Sequence, residues 1–531
     1  MLRQLFFVLC LCAVALAQTP TYDILISGGR IVDGAGNPWF IGDVGIQGDT
    51  IAYVGPTGRS SGRLTLDAKG LVVAPGFIDT HSHARRGIFE SPAAENQIRQ
   101  GVTTLIEGPD GSSPLPLKPF LDKLAATQFS VNFGTLVGQG SIREKVIGLK
   151  DRKATPEEIS AMRELTRQAM LDGAFGLSTG LFYLPGIFTP TEEVIEIAKV
   201  AGAMGGIHTS HMRDEAAGVL DSVRETIRIG EEGGLPTQIT HHKIMGRSNW
   251  GRSIDTLRLV QEARARGVDV TIDQYPYTAS STGTGALFPQ WSLESGQQAL
   301  IERLAAPDQR ARIVAGIADR IENDRGGGDP KNVVLASCSF DPSLAGKNLA
   351  ELTAARGVPV TFASAAETAI DLQRKGGCSA IYHAISEEDL ERILRFPFTM
   401  IASDGGIPLF GKDVPHPRNY GTFARVLGRY VRERKVLTLE DAVRRMSSLP
   451  AARFRIFDRG LLRPGMKADV SVFDPARVVD KADFEHPHQY AEGFHHVLVN
   501  GQLVLADGKM TAERPGRVLY GPARSVTGSP R

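Results

Sequence analysis

The order of apolar and polar positions divides the chain into strand-rich ends and an alternating middle. From Tyr22 to about Ala74, short apolar runs (Ile24-Leu25-Ile26, Arg30-Ile31-Val32, Val44-Gly45-Ile46, Ile51-Ala52-Tyr53-Val54) are separated by turn residues such as Asp33-Gly34-Ala35-Gly36-Asn37 and Gly48-Asp49-Thr50. That pattern predicts short β-strands. The far end repeats it in Ala468-Asp469-Val470-Ser471-Val472-Phe473 and Val497-Leu498-Val499-Asn500-Gly501. Two strand-rich ends around a central body predict one small β-sandwich domain, built from residues 18–74 and 455–531 together.

Between them, residues 75–454 alternate strand-like and helix-like segments, which argues for βα units and a parallel sheet. Eight strands are expected, near 75–83, 102–110, 129–138, 174–181, 206–212, 237–243, 268–277 and 398–405. Helical patterns lie between most of them, for instance 155–171, with Pro156 at a first-turn position, and 222–232. Eight such units predict an α/β fold, a closed (β/α)8 TIM-like barrel with its active site at the C-terminal ends of the strands. The interval between strands seven and eight is too long for one helix. It holds a charged helical stretch near 301–320, then Gly326-Gly327-Gly328, then Val333-Val334-Leu335, and predicts an inserted lid subdomain over about 283–346.

The first residues stand apart. Arg3 precedes an apolar run from Leu5 to Ala17, and Ala15-x-Ala17 fits a signal-peptidase site. The run is short of the roughly 20 residues of a spanning helix. Residues 1–17 therefore read as a cleaved signal, leaving a secreted or periplasmic protein that begins near Gln18. Removing them removes Arg3 and no acid, so the formal charge falls from +1 to zero. So balanced a chain gives no electrostatic argument for nucleic acid or for an anionic membrane once the signal is gone. Cys338 and Cys378 remain; they can pair in an oxidising compartment, but the sequence does not join them.

The chemistry collects at the strand ends. Strand one closes with Pro75-Gly76-Phe77-Ile78-Asp79-Thr80-His81-Ser82-His83, where residues two apart point to one face and aim two imidazoles at one point. Strand two ends at Asp110, strand five carries His208 and His211, strand six ends in His241-His242-Lys243, and strand eight in Ser403-Asp404-Gly405. Neutral imidazoles with a carboxylate are a zinc-binding set, and an open position on the ion takes a water. A metal lowers the pKa of that water towards ~7, and a carboxylate takes its proton and passes it to a leaving nitrogen. Asp404 is the expected base.

These residues also carry a resemblance. Gly76-Phe77-Ile78-Asp79-Thr80-His81-Ser82-His83 and Ser403-Asp404-Gly405 resemble the amidohydrolase superfamily. Further blocks resemble the D-aminoacylases (N-acyl-D-amino-acid deacylases) over nearly the whole mature chain. Among them are Gly176-Leu177-Ser178-Thr179-Gly180-Leu181, Ser210-His211-Met212-Arg213-Asp214-Glu215, Asp273-Gln274-Tyr275-Pro276-Tyr277 and His416-Pro417-Arg418-x-Tyr420-Gly421-Thr422-Phe423. The resemblance implies zinc ligands at His81, His83, His211, His241 and Asp404, with His241 favoured over His242 and His208 left out. It implies substrate-carboxylate contacts at Lys243, Tyr275 and Ser281, a cation with two hydroxyl donors. Arg213 is a further candidate, able to hold acid groups near it.

One position departs from the pattern. Where the D-aminoacylases have a metal-bridging cysteine after strand two, this chain has Asp110. A carboxylate can bridge two cations, which keeps a site for one or two Zn2+ and makes it harder, more tolerant of other divalent metals. Glu107 is a weaker candidate for the same job. The implied activity is hydrolysis of the amide of small N-acyl-D-amino acids or D-residue peptides. A cyclic amidase or dipeptidase of the same superfamily is the alternative, weakened because no lysine ends strand three or four to be carboxylated. A non-enzymatic binding protein is the third reading, opposed by the intact histidines and Asp404.

Overall fold

The computed structural model describes residues 21–524. The apolar run at 5–17 and its cleavage site lie outside the described residues. Both chain ends enter one nine-stranded sheet. Its N-terminal part (Thr21–Ile31, Phe40–Gln47, Thr50–Gly55, Ser61–Asp67, Val72–Pro75) meets its C-terminal part (Val470–Phe473, Phe494–Val499, Gln502–Ala506, Lys509–Met510) where Val72–Pro75 runs antiparallel to Val470–Phe473. The two expected strands at 24–26 and 30–32 form one long strand with a register shift between Ile26 and Gly29. That shift lets its first half pair with Ser61–Asp67 and its second half with Val72–Pro75. The additional β domain is thus one continuous sheet around a shared core of Ile26, Val44, Ile46, Ile51, Val73, Val470, Val472 and Leu498.

The middle of the chain is the barrel. Its eight parallel strands are Phe77–Ser82, Val102–Glu107, Asn132–Thr135 continued by Val137–Gly138, Gly176–Gly180, Ile207–His211, Thr237–Ile239, Val270–Gln274 and Thr399–Ile401. Their residues are buried throughout, as expected of strands covered on both faces. The ring closes between the last strand and the first. Asp404 N donates to His81 O at 2.9 Å and His83 N to Gly405 O at 2.7 Å. The outer helices begin where the sequence signals them. Pro156–Asp172 starts behind Thr155 and Glu158, which form a reciprocal capping box, and Val219–Gly233 ends at Gly234 in the left-handed conformation.

The insertion between strands seven and eight is longer than the expected 283–346. Its three-stranded antiparallel sheet places Ser379–Tyr382 between Ser280–Gly283 and Val333–Ser337. The subdomain cannot close before its middle strand is supplied, so it runs from Ser280 to about Tyr382. The helical stretch inside it is two helices, Gln297–Ala305 and Pro307–Asn323, broken at Pro307. Ile313, Ile317, Ile321, Leu335, Ala369 and Ile370 form its core. A disulfide joins Cys338 to Cys378 at the ends of two of its strands.

Candidate metal centre and active site

The expected ligands converge at the C-terminal mouth of the barrel. His81 Nε2 lies 3.4 Å from Asp110 Oδ2 and 3.5 Å from Asp404 Oδ1. His83 Nε2 lies 3.5 Å from Asp110 Oδ2 and 3.1 Å from Asp404 Oδ1. The other Asp110 oxygen, Oδ1, faces His211 Nδ1 at 3.7 Å and His241 Nε2 at 3.5 Å, and those two nitrogens are 2.7 Å apart. Two groups of ligand atoms therefore share one carboxylate, with one oxygen turned to each: His81, His83, Asp110 and Asp404 on one side, Asp110, His211 and His241 on the other.

Local backbone conformation aims these side chains. Asp110, His241 and Asp404 have φ of 56°, 34° and 50°, in the left-handed region that non-glycine residues rarely occupy. Such strain gathers at functional sites and persists only where the surroundings hold it. Gly108 makes the turn before Asp110 at φ +81°, where a Cβ would stand 2.5 Å from Leu136 O. His241 is held by its own N–H, which donates to Asp273 Oδ1 at 2.6 Å. Behind strand one, the buried Asp79 carboxylate accepts from Ser403 N at 2.9 Å, from the Ser403 hydroxyl and from His81 N at 3.2 Å, tying the two ends of the barrel together. Burial pushes that carboxyl up to about 6, against the Ser403 hydrogen bonds.

The electrostatics fit a cation. Both ring nitrogens of His81, with Asp110 Oδ1 and His211 Nε2, are buried without a hydrogen-bond partner, a state native structures avoid unless something else satisfies the atoms. Against the burial that disfavours its charge, the Asp110 and Asp404 carboxylates push the His83 imidazole up to about 10. Burial and Lys243 oppose a charge on His241, yet Asp110 and Glu215 raise it to about 9. Burial would raise the Asp404 carboxyl, but Arg418 and the nearby histidines hold it well below the usual range. The pocket between carboxylates and imidazoles favours positive charge, and its nitrogen and oxygen donors suit zinc or a similar divalent ion.

The centre opens on a cavity of about 1010 Å³ walled by both the barrel and the inserted subdomain, which contributes Ser281, Arg325, Ser337 and Ser379. Residues 64–505 match the amidohydrolase family. The chain belongs to that family. This amidohydrolase is 39% identical to a D-aminoacylase of Alcaligenes xylosoxydans xylosoxydans over 95% of its own length and 98% of the relative's. It is 36% identical to an N-acyl-D-glutamate deacylase of the same organism, over 96% and 98%. Its fold superposes on an N-acyl-D-glutamate deacylase from Bordetella bronchiseptica, complexed with zinc and a phosphonate mimic of the reaction's tetrahedral intermediate. That match has a TM-score of 0.81 at 36% identity, and covers 94% of this chain and all of the other.

The remaining candidates of the amidohydrolase fall in different places. Lys243 and Ser281 line the cavity. Tyr275 is buried beside it with its hydroxyl unpartnered, its ring 5.7 Å from Lys243 Nζ and 5.0 Å from the Arg418 guanidinium. Arg213 is not brought to the centre. Its guanidinium donates to Glu225 and to the carbonyls of Ile187 and Thr189, because its loop turns outward over the neighbouring helix. Glu107 is occupied by Arg85. His208 spends both nitrogens on Thr179 and Thr237, and His242 turns to Thr256; burial lowers each to about 3, with the Lys243 cation adding to it at His242.

Two residues of the centre escaped the sequence. Arg418 donates to Asp404 Oδ2 at 2.8 Å and to Ser281 O at 3.3 Å. Glu215 accepts from Lys243 Nζ at 2.5 Å and stands 3.2 Å from His241 Nδ1. Both lie within the quoted resemblance blocks, which was the available signal.

Proposed function

We propose that the chain hydrolyses the amide bond of N-acyl-D-amino acids. The observation that carries the reading is the pair of ligand groups sharing Asp110, opening on a cavity where Lys243, Ser281 and Arg418 stand beside Asp404. His81, His83, Asp110 and Asp404 would hold one divalent ion and Asp110, His211 and His241 a second, zinc being the ion bound by the Bordetella relative. A metal at this position supplies Lewis acidity, which lowers the pKa of water and polarises an amide carbonyl.

The chain's own residues supply the rest. Arg418 fixes Asp404 through Oδ2, which leaves Oδ1 facing the centre. Asp404 receives at Oδ1 the proton of the attacking water and delivers it to the departing nitrogen, so that the products are a carboxylate and a free amino acid. Lys243 and Ser281 receive the substrate's α-carboxylate, and the unpartnered Tyr275 hydroxyl supplies a second donor nearby. The inserted subdomain narrows access to water. The test is acetate release from a panel of N-acetyl-D- and N-acetyl-L-amino acids with added Zn2+. Turnover of the D-forms is expected; turnover of the L-forms alone defeats the stereochemical part.

Export is also part of this proposal. It is supported by the Arg3-led apolar run with its Ala15-x-Ala17 site, and by the Cys338–Cys378 disulfide, a bond that persists in oxidising compartments. Mass spectrometry of the processed protein should give an N-terminus at Gln18; an intact Met1 refutes it.

A further inference from the structure

His416 stands two residues before the first turn of the helix Arg418–Arg425, with Pro417 at the helix N-cap. Arg418 opens that helix, so its N–H has no carbonyl one turn back to bond. The His416 ring takes the job, with Nδ1 accepting from Arg418 N at 3.0 Å. On the other side of the ring, Nε2 donates to Ala279 O, also at 3.0 Å, in the loop after strand seven. The ring is buried and forms part of the cavity wall.

These two partners settle the tautomer. A backbone N–H only donates and a carbonyl only accepts, so Nδ1 carries the lone pair and Nε2 the proton. Burial and then the Arg418 charge keep the imidazole neutral, well below its ordinary range. A proton on Nδ1 would point at the Arg418 N–H and break the cap. The rings of Tyr277 and Phe484 stand nearly perpendicular to it, at 5.2 and 5.1 Å, and hold its plane.

What the ring fixes is the root of the Arg418 side chain. The guanidinium then reaches in two directions, Nη1 to Asp404 Oδ2 at 2.8 Å and Nη2 to Ser281 O at 3.3 Å. Ser281 is secured independently, since Ser280–Gly283 pairs with Ser379–Tyr382. Among the described residues Arg418 alone donates to Asp404 Oδ2, so a displaced Arg418 acts first on that carboxylate. We propose that His416 is a positioning residue of the active site, which as its Nε2–H tautomer fixes Arg418 against Asp404. Its effect on turnover rests on the reading of Asp404 as the base of amide hydrolysis.

The experiment compares the full mature chain with His416→Ala and His416→Asn. The Asn side-chain oxygen stands where Nδ1 stands and can accept from the Arg418 N–H, as in an ordinary cap; alanine offers no acceptor. Hydrogen exchange resolved to the Arg418 amide should be faster in His416→Ala and close to wild type in His416→Asn. On N-acetyl-D-amino acids with Zn2+, kcat should fall about 100-fold in His416→Ala, the cost of a small misplacement, while KM and bound Zn2+ per chain stay near wild type. His416→Asn should regain most of that kcat. A histidine that only fills the core would lower thermal stability and kcat together in both variants, and that result overturns the inference. So does a wild-type kcat, or an unchanged Arg418 exchange rate, in His416→Ala. Should His416→Ala not fold, His416→Gln takes its place with the same expectations, since its amide reaches Ala279 O but puts no acceptor near the Arg418 amide. A wild-type chain without turnover defeats the deacylase reading, and the exchange rates then decide alone whether His416 holds Arg418.

Discussion

The Cys338–Cys378 bond closes a loop with a sequence separation of 40, which spans two helices and the middle strand's approach to the subdomain sheet. In the chain-entropy treatment, a cross-link over such a loop removes about 13 cal/mol/K from the unfolded ensemble, about 4 kcal/mol at 25 °C. Replacing both cysteines by alanine should therefore destabilise the subdomain by about that amount, a large share of what holds any single domain together. Urea denaturation followed by far-UV circular dichroism reads the shift. Limited proteolysis should find new cleavage sites between Ser280 and Tyr382, with the barrel resisting. Activity should fall too, because Ser337 and Ser379 flank the two cysteines and form part of the cavity wall. A double variant within about 1 kcal/mol of wild type, equally resistant to protease, refutes the entropic reasoning.

Asp110→Ala removes the one anionic ligand of the second group but leaves Asp404 to the first, so metal analysis should find at most one ion per chain; retention of two ions disproves the bridge. His211→Gln should lose an ion, whereas His208→Gln, buried between Thr179 and Thr237, should keep full metal content and cost about 1–3 kcal/mol of stability. Metal loss in His208→Gln would contradict the assignment. Lys467 and then Arg517 hold the Asp49 carboxyl well below its usual range, linking an N-terminal hairpin to the C-terminal segments. A depressed carboxyl stabilises fully above the unfolded pKa of about 4 and loses that contribution as pH falls below it. The thermal-stability gap between wild type and Asp49→Asn should thus narrow from pH 6 to pH 3; a gap that widens contradicts the sign.

The barrel and the gathering of most candidate ligand residues were legible because strand ends impose a simple rule on sequence. His81 and His83, two residues apart, must share a face, and Asp110, His241 and Asp404 follow strands whose apolar runs are unmistakable. Loop geometry carries no such rule. Arg213 sits two residues past His211 and Glu215 four, yet the loop sends the arginine outward to Glu225 and the acid inward to the histidines. Arg418 reaches Asp404 only through a turn of irregular chain after strand eight. The far limit of the insertion was hidden for another reason. Ser379–Tyr382 is a four-residue strand, and its place in the middle of a sheet is decided by partners distant in sequence.

The seam between the first and last barrel strands sets the two groups of candidate ligands apart in the order of synthesis. Asp110, His211 and His241 come from strands two, five and six, which are all made before the inserted subdomain emerges. His81 and His83 wait for Asp404, which arrives only after the subdomain is complete and the ring can close. An ion held by those three residues would act as a clasp across the joint of the barrel, and a chain truncated before Thr399 would carry all of the second group while lacking Asp404 of the first.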